Sequence, residues 1–288
     1  MKFFAPAKIN LSLRIGQKYP DGYHAIETVM QTLCFGDELE ITSTKDGKII
    51  LIVEKSPWKI PVGEENLIIC VAKLLKITAG KQCFENAGAK IILHKKIPLQ
   101  AGLGGGSSDA AITLVALNKL WKLNFTIRKL SKLAIQLGSD VPFFLVGGRA
   151  KVSGRGEQVR KLKSLPKQLV VLVKPKFGID TREAYEEWDR LKESRIKNQD
   201  DKISKQILNP KSYILYPKFL NDFEQVVFSK YPSLARWRNY FLEKGTNVTG
   251  LCGSGSTIFA MFDSQKKILD IEQELKKQKV WWTITKTM

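Results

Sequence analysis

Apolar and polar positions alternate most cleanly near the start of the chain. In "AKINLSLRI", Ala7, Ile9, Leu11, Leu13 and Ile15 alternate with Lys8, Asn10, Ser12 and Arg14. A period of two predicts a strand with one apolar face, so Lys8 and Asn10 project together from the other. "QKYPDGYHAI" then reads as a loop, with Pro20, Asp21 and Gly22 as turn residues. "DELEITS" and "KIILIVE" read as strands, and Asp46-Gly47 between them predicts a tight hairpin. "ENLIICVAKLLKIT" has helical spacing, with Leu67, Cys70, Val71, Leu74 and Leu75 on its inner side. "AKIILHKKIP" is a further strand.

That strand runs into "PLQAGLGGGSSDAA", where glycines stand at 102, 104, 105 and 106. "SSDAAITLVALNKLWKL" follows as a helix, with Ala111, Leu114, Val115, Leu117 and Leu120 inward, Ser107 or Ser108 as N-cap and Asp109 in the first turn. A second helix spans Thr126 to Gly138, and "SDVPFFLVGGRAKVSGRGE" predicts strands with glycine bends. The polar, Pro-interrupted "VRKLKSLPKQ" marks a boundary near residue 160, dividing the chain into 1–160 and 161–288. Beyond it "LVVLV" is a buried strand, and 182–230 reads as mostly helical with a charged stretch over 190–210 that predicts an exposed loop or insertion. "TGLCGSGSTIFAMF" is a second Gly/Ser turn entering a strand, and a helix ("SQKKILDIEQELKKQ") and a strand ("VWWTITKT") close the sequence. Strands and helices mix without regular βαβ repetition, which predicts an α+β fold in two lobes.

The glycine run suits either a flexible linker or a phosphate cradle. No Lys follows it, which excludes a P-loop, and Ser107 stands where the dinucleotide fingerprint needs its third glycine. The patterned strand and helix on either side weigh against a linker. A strand, a glycine turn and a helix N-terminus together expose main-chain N–H groups and a favourable dipole to an anion, and Lys95 and Lys96 add charge. Spacing alone does not name the anion.

Composition narrows the setting. The 288 residues suffice for two lobes, no apolar run is long enough to span a membrane, and the N-terminus carries no export or transit signal, so a cytoplasmic protein is expected. Cys34, Cys70, Cys83 and Cys252 are scattered, which predicts reduced core thiols, and two histidines leave no multi-His metal site. The formal charge of +19 suits nucleic acid, a membrane surface or a phosphorylated small molecule, but the lysines are dispersed and equally suit a solvated surface.

Three ordered segments, "PAKINLSL", "PLQAGLGGGSSDAA" and "LCGSGSTIFA", resemble the signature motifs of the GHMP small-molecule kinases. With "PDGYHAIETVMQTL", "LGSDVPFFLVGGRA" and "GRGE" the likeness covers nearly the whole chain. It narrows to the branch that phosphorylates the 2-hydroxyl of a diphosphocytidyl-linked methylerythritol in the non-mevalonate route to isoprenoid precursors. The resemblance implies an N-terminal lobe like ribosomal protein S5 domain 2, a ferredoxin-like C-terminal lobe, and ATP and acceptor in the cleft between them. It implies Asp140 as base, with Lys8 as its partner and the cation offsetting phosphoryl charge, and Asn10 hydrogen-bonding the acceptor. Tyr23 and His24 would hold cytosine by stacking and hydrogen bonding, with Tyr185 as second ring and Thr181 as a polar contact. Gly102, Leu103, Gly104, Gly105, Gly106, Ser107 and Ser108 would cradle the ATP phosphates, with Asn66, Leu67, Lys95 and Pro98 near the nucleotide. Gly253, Ser254 and Gly255 would close over the transferring phosphate. Mg²⁺ is expected to ride on ATP oxygens and water, since no paired carboxylates suggest a protein site. Two departures stand out: Arg182, where proline is common, and Cys252, where serine is usual.

Taken singly these residues allow plainer readings: Asp140 a turn or cap aspartate, Lys8 a solvated lysine, His24 a surface histidine, Tyr185 helical core. Two rival functions follow. One is another GHMP kinase, acting on mevalonate, homoserine or a sugar; the other is an RNA-binding protein exploiting the positive charge. The expected partner is the cytidine diphosphate-linked small molecule, with no nucleic acid and no membrane, and a monomer or weak homodimer.

Overall fold

A computed structural model of the chain describes residues 1–54, 56–80, 86–197, 221–246 and 248–288. Two long strands open it: β1 (Lys2–Lys18) and β2 (His24–Thr44), paired antiparallel through most of their length. The apolar alternation of β1 is real, but the strand is bulged between Pro6 and Lys8 and between Asn10 and Ser12. Its polar face is not solvated: Lys8 and Asn10 are 2% and 0% exposed. The predicted loop shrinks to residues 19–23, and His24 already belongs to β2.

Asp46-Gly47 turns the chain but makes no hairpin. β3 (Ile49–Glu54) pairs in parallel with β4 (Gly88–His94), and β4 lies between β3 and β2. Turn chemistry reports a reversal and not the neighbour; here α1 (Leu67–Ala79) carries the chain back so that β4 takes the place beside β2. The inner face of α1 is Ile68, Ile69, Val71, Ala72, Leu75 and Ala79, rotated from the expected stripe, with Leu67 and Leu74 only partly covered. β5 (Arg149–Gly154) and β6 (Gln158–Lys161) complete a six-stranded sheet. α2 (Gly105–Leu120), α3 (Ile127–Leu137) and α4 (Val141–Val146) join α1 over its core. α4 replaces a predicted strand: Pro142 sits in its first turn, where its missing N–H costs nothing. Val115, expected inward, is 41% exposed.

The second sheet is antiparallel, in the order β10 (Trp281–Lys286), β7 (Leu169–Lys174), β9 (Ile258–Phe262), β8 (Val248–Leu251). With α5 (Thr181–Lys197), α6 (Glu224–Lys230), α7 (Pro232–Glu243) and α8 (Gln265–Leu275), it forms a ferredoxin-like lobe. The stretch of the charged segment beyond residue 197, and Cys83, lie outside the described residues.

β7 explains how the lobes join. Val171 and Val173 pack among the C-terminal helices, while Val170 and Leu172 face the other way, against Ala7, Ile9 and Leu33. A strand buried on both faces reads as a continuous apolar run, as "LVVLV" does. β1 threads all of this: Ala5 lies in the N-terminal core, Ala7 and Ile9 between the lobes, and Leu13 and Ile15 in the C-terminal core. The sheets divide between residues 161 and 169, yet the packing is continuous across that division.

Candidate active site

The two bulges of β1 bracket Lys8 and Asn10 and turn them toward the cleft. Lys8 Nζ donates to Asn10 Oδ1 at 2.7 Å and stands 3.4 Å from Asp140 Oδ2. Asn10 Nδ2 donates to Thr28 Oγ1 at 2.9 Å. Asp140 occupies the N-cap position of α4, but its side chain makes no capping bond; it is turned to Lys8 instead and keeps 27% of its side-chain surface exposed. The plain readings of a solvated Lys8 and a capping Asp140 both fall on this geometry.

The glycine run wraps over Lys8. Gly102 and Gly104 take φ of +72° and +70°, in the left-handed region. A Cβ on Gly102 would stand 1.8 Å from the Cys252 carbonyl, and one on Gly104 would stand 2.8 Å from the Phe144 ring and 3.1 Å from Lys8 Cγ. Lys8 N–H donates to the Leu103 carbonyl at 3.0 Å. α2 begins at Gly105 with Gly104 as its N-cap, so no side chain caps it, and neither Ser107 nor Ser108 does so as expected. The first-turn N–H groups of a helix have no partner within it, which leaves them to a ligand. Pro98 is buried just before the turn. Asn66 is brought alongside as the N-cap of α1, accepting from Ile68 N–H at 2.9 Å, and Leu67 Cδ1 lies 3.8 Å from where a Gly106 Cβ would be.

Lys95 points elsewhere than expected. Its ammonium is 2.5 Å from Asp37 Oδ2 and 2.6 Å from Asp109 Oδ2, beneath the start of α2 and sealed from solvent. Asp37 Oδ1 also accepts from the N–H groups of Lys96 and Ile97 at 2.6 and 2.8 Å. The Lys95 side chain therefore braces the glycine turn from behind. Asp109 does not cap: burial, with Asp37 adding to it and Lys95 opposing, pushes its carboxyl up to about 8. Asp37 was not singled out from sequence, where it is one acid in a polar strand segment. Asp109 Oδ1 and Ser108 Oγ are buried without a partner.

The third motif closes the other side. Gly253 and Gly255 take φ of +54° and +97°, and a Cβ on Gly253 would meet Lys8 Nζ at 3.3 Å and Asn10 Oδ1 at 3.6 Å. Asn221 Nδ2 holds the Leu251 and Gly253 carbonyls, both at 2.8 Å, and Thr181 Oγ1 meets Ser254 Oγ at 2.9 Å. Cys252 is fully buried; burial pushes its thiol up and Lys8 opposes this only in part. A cavity of about 400 Å³ remains, lined by Gln100, Gly102, Ile179, Asp180, Thr181, Arg182 and Gly255. Asp180 Oδ1 accepts from the N–H groups of Arg182 and Glu183, so α5 starts cleanly without proline at 182.

Tyr23 and His24 part company. Tyr23 stays on the turn, 59% exposed, with the Arg155 guanidinium 5.8 Å from its ring. His24 is buried and stacks on Tyr185, centroids 4.8 Å apart and rings 12° from parallel. Tyr185 meets Phe223 edge-on at 4.9 Å, and burial, then the charge of Asp140, pushes its hydroxyl up. His24 Nε2 also lies 2.7 Å from Asp189 Oδ1, while Asp189 Oδ2 accepts from Lys18 at 2.7 Å. Asp189 was missed from sequence, although its place one helical turn after Tyr185 puts both on one face of α5.

Among the described residues no group of three or more His, Cys, Asp or Glu is placed to hold a metal, and no helix is long and apolar enough to cross a membrane. A buried ammonium paired with a partly exposed carboxylate, between two glycine turns, suits phosphoryl transfer. The sequence signature of the GHMP kinases N terminal domain matches residues 66–148, and that of the GHMP kinases C terminal matches 211–280. With the two-lobed fold these define a small-molecule phosphotransferase of the GHMP class. A 4-diphosphocytidyl-2-C-methyl-D-erythritol kinase of Caldanaerobacter subterraneus subsp. tengcongensis is 36% identical across all of this chain and 97% of its own. One from Pelotomaculum thermopropionicum is 41% identical over 89% of this chain and 87% of its own. A crystal structure of 4-(cytidine 5'-diphospho)-2C-methyl-D-erythritol kinase, 28% identical, superposes over 100% of this chain and 99% of its own with a TM-score of 0.77. The chain belongs to the 4-diphosphocytidyl-2-C-methyl-D-erythritol kinase family of GHMP kinases.

Proposed function

We propose that this kinase transfers the γ-phosphoryl group of ATP to the 2-hydroxyl of 4-diphosphocytidyl-2-C-methyl-D-erythritol, with Asp140 as base. The observation that carries the residue roles is the convergence on Lys8. The Lys8 ammonium lies against Asn10, Asp140 and Gly253, and its alkyl stem runs under the glycine turn at Gly104. Asp140 is the exposed member of the pair, so its free carboxylate oxygen takes the proton of the attacking hydroxyl. Lys8 has three donors, and the one not engaged by Asn10 or Asp140 serves a phosphoryl oxygen as charge moves onto it. Asn10 orients the acceptor. The open N–H groups at the start of α2 hold the ATP phosphates, and Gly253, Ser254 and Gly255 cover the transferring group.

Mg²⁺ fits this site as a companion of ATP. It would be held by nucleotide oxygens, and Ser108 Oγ, buried and unpartnered, is the side-chain oxygen suited to join them. When bound, the ion would supply neutralisation of the nucleotide charge. Asn66, Leu67 and the main chain around Lys95 and Pro98 border the nucleotide, while Tyr23, His24 and Tyr185 receive the pyrimidine, with Thr181 near the acceptor's phosphates. We assign 1–160 and 161–288 as the two lobes, working in the cytoplasm as a monomer or weak homodimer.

ATP consumption by the purified protein with and without the cytidyl acceptor tests the reading. ADP release that requires this acceptor supports it; activity on mevalonate or homoserine with none on the cytidyl compound overturns it.

A further inference from the structure

Asp189 and Lys18 have no part in the chemistry proposed above, yet Asp189 joins three elements, β1, β2 and α5. Lys18 ends β1 and His24 begins β2, so together they bracket the turn 19–23 that carries Tyr23. Both are tied to one carboxylate of α5, Lys18 through Oδ2 and His24 through Oδ1, each at 2.7 Å. Burial works to raise the Asp189 carboxyl, but hydrogen bonds from Lys18 and His24 outweigh it and hold it below the usual carboxylate range. An ionised carboxylate only accepts, so the proton at this contact sits on His24 Nε2. His24 Nδ1 has no hydrogen-bond partner among the described residues. In the neutral ring that atom is an acceptor. The Tyr185 stack fixes the ring's plane, and Asp189, on the same face of α5, fixes its rotation and tautomer.

We propose that Asp189 is a positioning residue for base recognition. By holding His24 as the Nε2–H tautomer, it presents Nδ1 as an acceptor to an amino N–H on the bound base, and so favours a 4-aminopyrimidine over a 4-oxopyrimidine. A carbonyl opposite Nδ1 would set lone pair against lone pair and leave an acceptor of the buried His24 ring unpaired, the arrangement that discriminates most strongly between near-isosteres. Lys18 keeps the carboxylate in place and ties down the far end of the Tyr23 turn. This rests on the reading that the pyrimidine lies against Tyr23, His24 and Tyr185, and goes beyond it by assigning the choice of base to a residue outside the contact.

The chain has two histidines, so long-range ¹⁵N–¹H spectra resolve His24 from His94 once a His94→Gln variant assigns them. The wild type is expected to show protonated Nε2 and unprotonated Nδ1 at His24, and Asp189→Ala a mixture of tautomers. Asp189→Ala should raise KM for the cytidyl acceptor about 10- to 100-fold, the loss expected of a hydrogen bond to a charged group. KM for ATP and kcat should stay within about threefold, and the preference for the cytidyl over the uridyl acceptor should shrink. Asp189→Asn, which keeps a carbonyl acceptor, should recover part of both the tautomer and the preference, and serves as the test variant if Asp189→Ala folds poorly. His24→Ala separates the two ideas. If it leaves acceptor KM unchanged, the base lies elsewhere and both readings fall. If it raises acceptor KM while Asp189→Ala alters neither the tautomer nor the base preference, the proposal alone is overturned.

Discussion

Lys8 and Lys95 flank the same glycine turn, each almost wholly buried, and their surroundings separate two uses of a buried ammonium. Lys95 is closed in by two carboxylates at 2.5 and 2.6 Å, both themselves buried. Lys8 has an amide oxygen at 2.7 Å and one carboxylate at 3.4 Å that still reaches solvent. The first arrangement satisfies its charges internally and resists rearrangement; the second leaves a donor and a carboxylate oxygen to spare. Removing one member of a sealed cluster strands buried charge, whereas removing one member of the open pair leaves the rest within reach of water or ligand.

Four measurements can break or sharpen that contrast. Asp140→Asn should fold, bind ATP, and lose turnover by about 10²- to 10⁴-fold, read as single-turnover phosphoryl transfer; near-normal turnover would remove Asp140 as base. Lys95→Met should act on stability instead, costing about 3–5 kcal/mol and lowering the melting temperature on the order of 10 °C. A variant that melts like the wild type but binds ATP weakly would show that Lys95 serves the nucleotide, and the contrast would collapse.

A smaller effect tests the sealed cluster through pH. The Asp109 carboxyl is raised from an ordinary 3.8 to about 8, so between those values the folded protein holds a proton that the unfolded chain has released. Stability should fall as pH rises through this window, by up to ~1 kcal/mol per pH unit. Urea midpoints at intervals between pH 5 and pH 8 should show that slope in the wild type and flatten it in Asp109→Asn; equal slopes would mean the proton sits elsewhere. Smallest is Cys252→Ser. The thiol is buried and held protonated beside the open pair, so restoring the hydroxyl should change kcat less than about threefold and stability by about 1 kcal/mol or less. A large change in kcat would make the third motif's side chain part of the reaction.

Local chemistry was legible from the sequence wherever one segment carries its own signal. Thr126 caps the helix that follows it, and Gly138 ends that helix. Ala7, Ile9, Leu13 and Ile15 are the buried side of β1, as their spacing predicts. Lys8, Asn10, Asp140, Gly102 and Gly253 do come together. The failures have a common cause. The turn at Asp46-Gly47 says nothing of β4, which arrives after a helix to lie between the two strands. "VPFFLV" looks like a strand because a helix of under two turns is too short to show its period. Lys95 reads as a ligand lysine because neither Asp37 nor Asp109 signals that it is facing inward. Tyr185 and Asp189 share a helix face, but His24, their partner, lies about 160 positions earlier.

By itself the sequence determined the ordered motifs, the turn positions and the alternation along β1, because each depends on neighbours a few residues away. The tertiary structure alone decided which charges are sealed and which stay open. Burial and partner distance govern what an ammonium or a carboxylate can do, and both are set by segments that meet only when the two sheets close on β1.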